Sequence, residues 1–226
     1  MDTKIKICGV RTSEAALVAH DLSVDFIGLV CVPGRKRCID PTIAATISSI
    51  SRDRLNPKPK IVGIVADQPL QEVNHIIKAY HLDLIQLSGN EDLDYCNNLN
   101  TSVIKTIYVK QGSGEELRHL ESEIATFRTD GHMVTLDRYT PKNRGGQGLS
   151  FDWEIAQVLS NKGHQFILAG GLTPNNVVQV INKGQPWGVD VSSGVETDEA
   201  QDHEKIKQFV KNVRNASCST PPIDVV

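Results

Sequence analysis

Two alternating periods constrain this chain more than any other feature. Short β-branched and apolar runs bounded by Gly, Pro or Asp take turns with longer segments whose apolar residues recur every three or four positions. The short runs lie at 4–10, 25–31, 60–66, 84–88, 103–109, 132–137, 165–169 and 188–192. Helical periodicity follows each of them, at 13–21, 41–51, 70–80, 91–99, 114–128, 151–160, 174–183 and 203–214. Several helix starts carry their own signal: Thr12 or Ser13, Asp40-Pro41, Gln68-Pro69, Ser150 and Thr173-Pro174. Runs such as FIGLV, IVGIV and FILAG are apolar nearly throughout, the pattern of a parallel sheet covered on both faces. An open doubly wound sheet could hold such units. Eight of them in 226 residues instead predict one α/β domain, a parallel eight-stranded (β/α)8 TIM barrel over 1–215, with 216–226 as a Ser- and Pro-rich flexible tail.

Composition narrows the function classes. A formal charge of −3 and 23% charged residues argue against a polyanion-binding surface, and no apolar run approaches the length of a membrane span or a signal-peptide core. Five cysteines without a paired CxxC spacing argue against a disulfide framework and a zinc site, and favour a reducing, cytoplasmic setting. The expected partner is a small molecule, with neither nucleic acid nor membrane, and a monomer is preferred.

Catalytic groups of a barrel gather at the C-terminal ends of its strands. Two Gly/Ser turns meet that description, LAGGLTPNNV after run seven and VDVSSGV after run eight. Gly170, Gly171, Ser192, Ser193 and Gly194 could expose backbone N–H groups to a phosphate, with Thr173-Pro174 starting a helix whose positive end favours the anion. Cys8 ends run one, where a thiolate beside Lys6 and an N–H-rich rim would have a lowered pKa and could take a carbon-bound proton. Cys31 also ends a run, so position does not separate the two cysteines, and the ordinary role of either is a small buried hydrophobe. Asp137 closes the apolar run MVTL with no helix beginning for about a dozen residues, which favours a carboxyl at the barrel mouth over a helix cap. The loop 139–150 follows on the same face. One of Arg35, Lys36 and Arg37 could hold a carboxylate, and Asp190 is either a loop brace or a contact to a substrate hydroxyl.

KICGV (6–10), CVPGRKRCIDP (31–41), LIQLSGNE (84–91), LDRYTPKNRGGQGLSFDW (136–153), LAGGLTPNNV (168–177) and VDVSSGVE (189–196), in this order, resemble phosphoribosylanthranilate isomerase, most nearly the separate single-function form of yeasts. The resemblance spans nearly the whole chain. It implies an Amadori rearrangement in tryptophan biosynthesis that uses no metal or organic cofactor. It also places the general base on Cys8, the general acid on Asp137 and the contact to the anthranilate moiety on Arg37. One position departs from the family pattern: Ser88 stands where a histidine is usual, so local substrate contacts should differ. Competing readings are another phosphate-binding barrel enzyme, such as the related histidine-pathway isomerase or the indole-forming synthase, and a non-catalytic binder of a phosphorylated ligand.

Overall fold

A computed structural model describes residues 2–53, 58–109, 114–138 and 153–218. Its eight strands are β1 (Lys4–Cys8), β2 (Phe26–Val30), β3 (Lys60–Val65), β4 (Leu84–Leu87), β5 (Ser102–Val109), β6 (Met133–Arg138), β7 (Ile167–Leu168) and β8 (Gly188–Val191). All pair in parallel, and β8 returns to β1 through Lys4↔Gly188 to Ile7↔Val191, closing the barrel. The helices between and after them are α1 (Ser13–Asp21), α2 (Pro41–Asp53), α3 (Leu70–Ala79), α4 (Leu93–Asn97), α5 (Gly114–Thr129), α6 (Trp153–Asn161), α7 (Val177–Gly184) and α8 (His203–Cys218). Between β8 and α8 the chain adds a 3-10 turn, Ser193–Val195, and a hairpin of β9 (Glu196–Thr197) with β10 (Ala200–Gln201).

Local chemistry sets several boundaries as expected. Thr12 caps α1 by accepting from the Ala15 N–H, and Asp40 Oδ1 accepts from the N–H groups of Thr42 and Ile43 at the start of α2. The boundaries of α4, α7 and α8 move, α4 shortening to Leu93–Asn97. Thr173-Pro174 does not open α7. The Asn176 side chain instead accepts from the Thr173 N–H and donates to the Gly171 carbonyl, tying those residues into a loop and delaying the helix to Val177. At the other end, α8 continues past 215 with Ala216 buried, because the apolar stripe Ile206, Phe209, Val210 and Val213 extends one more turn onto the barrel.

Strand alternation sorts the buried residues into two environments. Ile5, Ile7, Ile27, Leu29, Ile61, Ile85, Leu136, Val189 and Val191 face outward and share a large core with the helices. Phe26, Val62, Leu84, Ile104 and Ile167 form a separate inner cluster, with Met133 and Trp187 against it. This cluster is the floor of the barrel. Two residues further along five of the strands the inner face becomes polar: Lys6, Gln86, Thr106, Thr135 and Asp190 are all buried there. Two residues further again stand Cys8, Ser88, Tyr108, Asp137 and Ser192, at the C-terminal mouth.

Candidate active site

The centre of the polar tier is an ion pair between neighbouring strands. Lys6 Nζ on β1 donates to Asp190 Oδ2 on β8 at 2.7 Å, with the lysine fully buried and the carboxylate nearly so. Among the described residues the second carboxylate oxygen, Oδ1, has no partner, and neither do Thr135 Oγ1 and Gln86 Oε1. A buried acceptor without a donor costs roughly 1–3 kcal/mol. The tier therefore holds polar capacity that the fold itself does not use. Its remaining members form a chain in which Gln86 Nε2 donates to Thr106 Oγ1, Ser88 Oγ lies 3.1 Å from that same oxygen, and the Tyr108 hydroxyl donates to the Ser88 carbonyl.

Cys8 lies above Lys6 on the same strand. Room for its sulfur comes from Gly28, its register partner on β2: a Cβ at 28 would sit 3.1 Å from the Cys8 Sγ and 3.2 Å from its Cα. Cys31 has the opposite strand parity. It is buried in the helix-facing core and its Sγ donates to the Leu29 carbonyl. Strand alternation thus separates two cysteines that the sequence left equivalent. The expectation of a lowered Cys8 pKa is reversed in the free protein. Burial pushes the thiol up to about 11; Lys6 opposes this, but its charge is already shared with Asp190.

Asp137 stands at the mouth on β6, in a setting matched to an acid. Burial raises its carboxyl to about 6, against the hydrogen bond that Oδ1 accepts from the Arg138 N–H at 2.7 Å. Among the described residues it pairs with no cation. Gly170 makes space beside it: with φ at +92°, any Cβ there would come within 2.8 Å of Asp137 Oδ1. The GG turn after β7 and the SSG turn after β8 also meet, since a Cβ at Gly194 would strike the Leu172 carbonyl. Ser193 and Gly194 begin the 3-10 turn, where N–H groups have no intrahelical acceptor. Gly170, Gly171, Ser192, Ser193 and Gly194 are thus brought to one stretch of rim.

Arg37 also reaches this rim, and with a partner the sequence did not reveal. Its Nε and Nη2 donate to Glu196 Oε1 and Oε2, both at 2.6 Å, a paired contact between the loop after β2 and strand β9. The Nη1 end of the guanidinium remains without a partner among the described residues. Gln201 on β10 ties the hairpin to β1 by donating to the Gly9 carbonyl and accepting from the Arg11 N–H. Arg35 and Lys36 stay exposed, with Lys36 paired to Glu199. Residues 139–150 lie outside the described residues. Glu91 braces the loop after β4 by accepting from the Asp67 and Gly89 N–H groups and from Lys105 Nζ. This brace fixes the loop beyond Ser88.

The closed eight-stranded barrel is shared with known proteins. A family model described as N-(5'-phosphoribosyl)anthranilate (PRA) isomerase matches residues 5–212. The chain belongs to the phosphoribosylanthranilate isomerase family. It is 39% identical over 215 residues to N-(5'-phosphoribosyl)anthranilate isomerase of Dehalococcoides mccartyi, covering 94% of this chain and 96% of that one. The enzyme of the yeast Zygosaccharomyces bailii is 36% identical over 210 residues, covering 91% and 95%. The crystal structure of the phosphoribosylanthranilate isomerase from Thermotoga maritima superposes with a TM-score of 0.80 at 31% identity, covering 94% of this chain and 99% of that one. A crystal structure of phosphoribosylanthranilate isomerase in complex with reduced 1-(o-carboxyphenylamino)-1-deoxyribulose 5-phosphate superposes at 0.77 with 30% identity, covering 94% of this chain and 99% of that one.

Proposed function

We propose that Cys8 on β1 and Asp137 on β6 are the base and acid of an Amadori rearrangement. The reaction of the family, and of this chain, converts N-(5-phosphoribosyl)anthranilate to 1-(2-carboxyphenylamino)-1-deoxyribulose 5-phosphate in tryptophan biosynthesis. Two proton transfers of opposite sense are needed. Protonated Asp137 gives its proton to the furanose oxygen as the C1–O bond breaks, and the anilino nitrogen supplies the electron pair for a C1=N bond. The Cys8 thiolate then takes the proton from C2. The C–H electrons form C1=C2 while the C1=N pair returns to nitrogen, and the resulting enolamine tautomerises to the ketone.

The remaining groups bind. The Nη1 end of Arg37 faces the anthranilate carboxylate while Glu196 holds the other edge of its guanidinium. Asp190 Oδ1 accepts from a ribose hydroxyl, and the N–H groups near Gly170, Gly171, Ser192, Ser193 and Gly194 take the phosphate. The observation that carries the assignment is Asp137, a carboxyl at the mouth that burial holds partly protonated near neutral pH. All of these groups come from one chain, so the reading takes a monomer of 24.8 kDa, and its four free thiols among the described residues suit a reducing cytoplasm. A light-scattering mass of twice that value would overturn the monomer.

The test of function is direct. Freshly made phosphoribosylanthranilate, followed by loss of its fluorescence beyond spontaneous decay, should turn over with the intact protein and about a hundredfold or more slower with Cys8→Ser. No turnover by the intact protein would remove the assignment.

A further inference from the structure

Lys6 is fully buried beneath the mouth, and no step above uses it. Burying an ammonium costs several kcal/mol even when it is paired, and apolar residues of similar volume would fill the space without that cost. Its surroundings show what it does there. Nζ donates to Asp190 Oδ2 at 2.7 Å, and Cys8 follows two residues along the same strand on the same inner face. Burial alone would strip its proton, but the Asp190 carboxylate and the Cys8 sulfur hold it above its ordinary value, so it stays an ammonium.

We propose that Lys6 is the positioning residue that makes Cys8 a base, one ammonium shared between the thiol and Asp190, and that Asp190 governs how much of its charge the thiol receives. The proposal rests on Cys8 being the base. The charged groups around the sulfur are few and of known sign. Lys6 on its own strand and Arg37 from the loop after β2 favour the thiolate, and Asp190 on β8 opposes it. Gly28 on β2 brings no charge, and Asp137 on β6 shares the field of Lys6 and Asp190. The thiol first loses its proton to solvent, and Lys6 then faces a thiolate. When the C2 proton arrives the sulfur becomes neutral again, and Lys6 turns back wholly to Asp190. With Asp190 Oδ1 engaged by a substrate hydroxyl, the carboxylate draws less on Lys6, so occupancy of the site favours the thiolate.

The test reads Cys8 ionisation without turnover. The full-length unliganded protein is alkylated with iodoacetamide at pH 8.5 and the Cys8 peptide is followed by mass spectrometry, with exposed Cys38 as internal reference. Below the thiol pKa the rate follows the thiolate fraction, so one unit is tenfold. Lys6→Met should slow Cys8 alkylation about tenfold, and Asp190→Asn should speed it about tenfold. Lys6→Met leaves a buried carboxylate unpaired and can unfold the chain, so Lys6→Met/Asp190→Asn, which removes both charges, stands beside it and should also react more slowly than the parent. A purely structural pair would move both single variants in one direction or neither, and either result overturns the proposal. Turnover by Cys8→Ser within about tenfold of the parent would remove the base assignment instead, whatever the alkylation rates show.

Discussion

The floor and the mouth of this barrel are built from the same strand faces and follow opposite rules. On the floor, Phe26, Val62, Leu84, Ile104 and Ile167 close over one another without a polar side chain in the cluster. Two residues higher, positions of identical parity hold Lys6, Gln86, Thr106, Thr135 and Asp190, as deeply buried and incompletely partnered. Packing satisfies the first tier by itself. The second is satisfied only in part among the described residues, by one ion pair and one hydrogen-bonded chain. An apolar and a polar tier are thus stacked along the barrel axis, about two residues apart.

Substitutions at the two levels should therefore separate rate from stability. Asp137→Asn and Cys8→Ser at the mouth should each lower kcat/KM by about a hundred- to ten-thousandfold while the chain remains folded, measured by fluorescence assay beside circular dichroism. On the floor, Phe26→Ala should cost about 3–5 kcal/mol in urea unfolding and leave kcat per folded molecule near that of the parent. A floor variant that lost rate without losing stability would break the comparison.

Between these limits lies the Arg37–Glu196 contact. Glu196→Gln should raise KM about tenfold with little change in kcat, because it loosens a binding group and leaves the proton-transfer pair in place. A large fall in kcat instead would bring Glu196 into the chemistry.

Asp137 also links the two properties through pH. Its folded carboxyl is raised from the usual carboxylate range to about 6. A raised carboxyl contributes stability that is full below its unfolded value near 4, and that is lost as pH rises through 6. Asp137→Asn should accordingly raise Tm relative to the parent at pH 8 and gain least at pH 4, by calorimetry. The smallest effect expected is at Thr135→Val, which removes a buried hydroxyl without a partner among the described residues and should stabilise by about 1 kcal/mol. A loss of stability there would mean that the fold does use that hydroxyl.

Much of the architecture was legible before any coordinates. Each strand and helix has a local signal, and the deviations are a delayed α7, a longer α8 and an α4 shortened to Leu93–Asn97. α7 shifted because Asn176 reaches back along the loop, a side-chain choice that periodicity does not encode. Cys8, Asp137 and the Gly/Ser rim could be marked by their place at strand ends. Cys8 could be told from Cys31 only by motif, until strand parity aimed one into the barrel and the other at the helices.

What the sequence by itself determined about this protein is local or repetitive: eight βα units, their order and the residues that end them. The tertiary structure alone decided the rest. Glu196 meets Arg37 across 159 residues and Asp190 meets Lys6 across 184, and Gly170 gives room to Asp137 from the next strand. The Cys8 thiol lies high and the Asp137 carboxyl near neutral because barrel closure removes water from both. Desolvation depends on what surrounds a residue in space, and closing the barrel brings β1 against β8 from opposite ends of the chain.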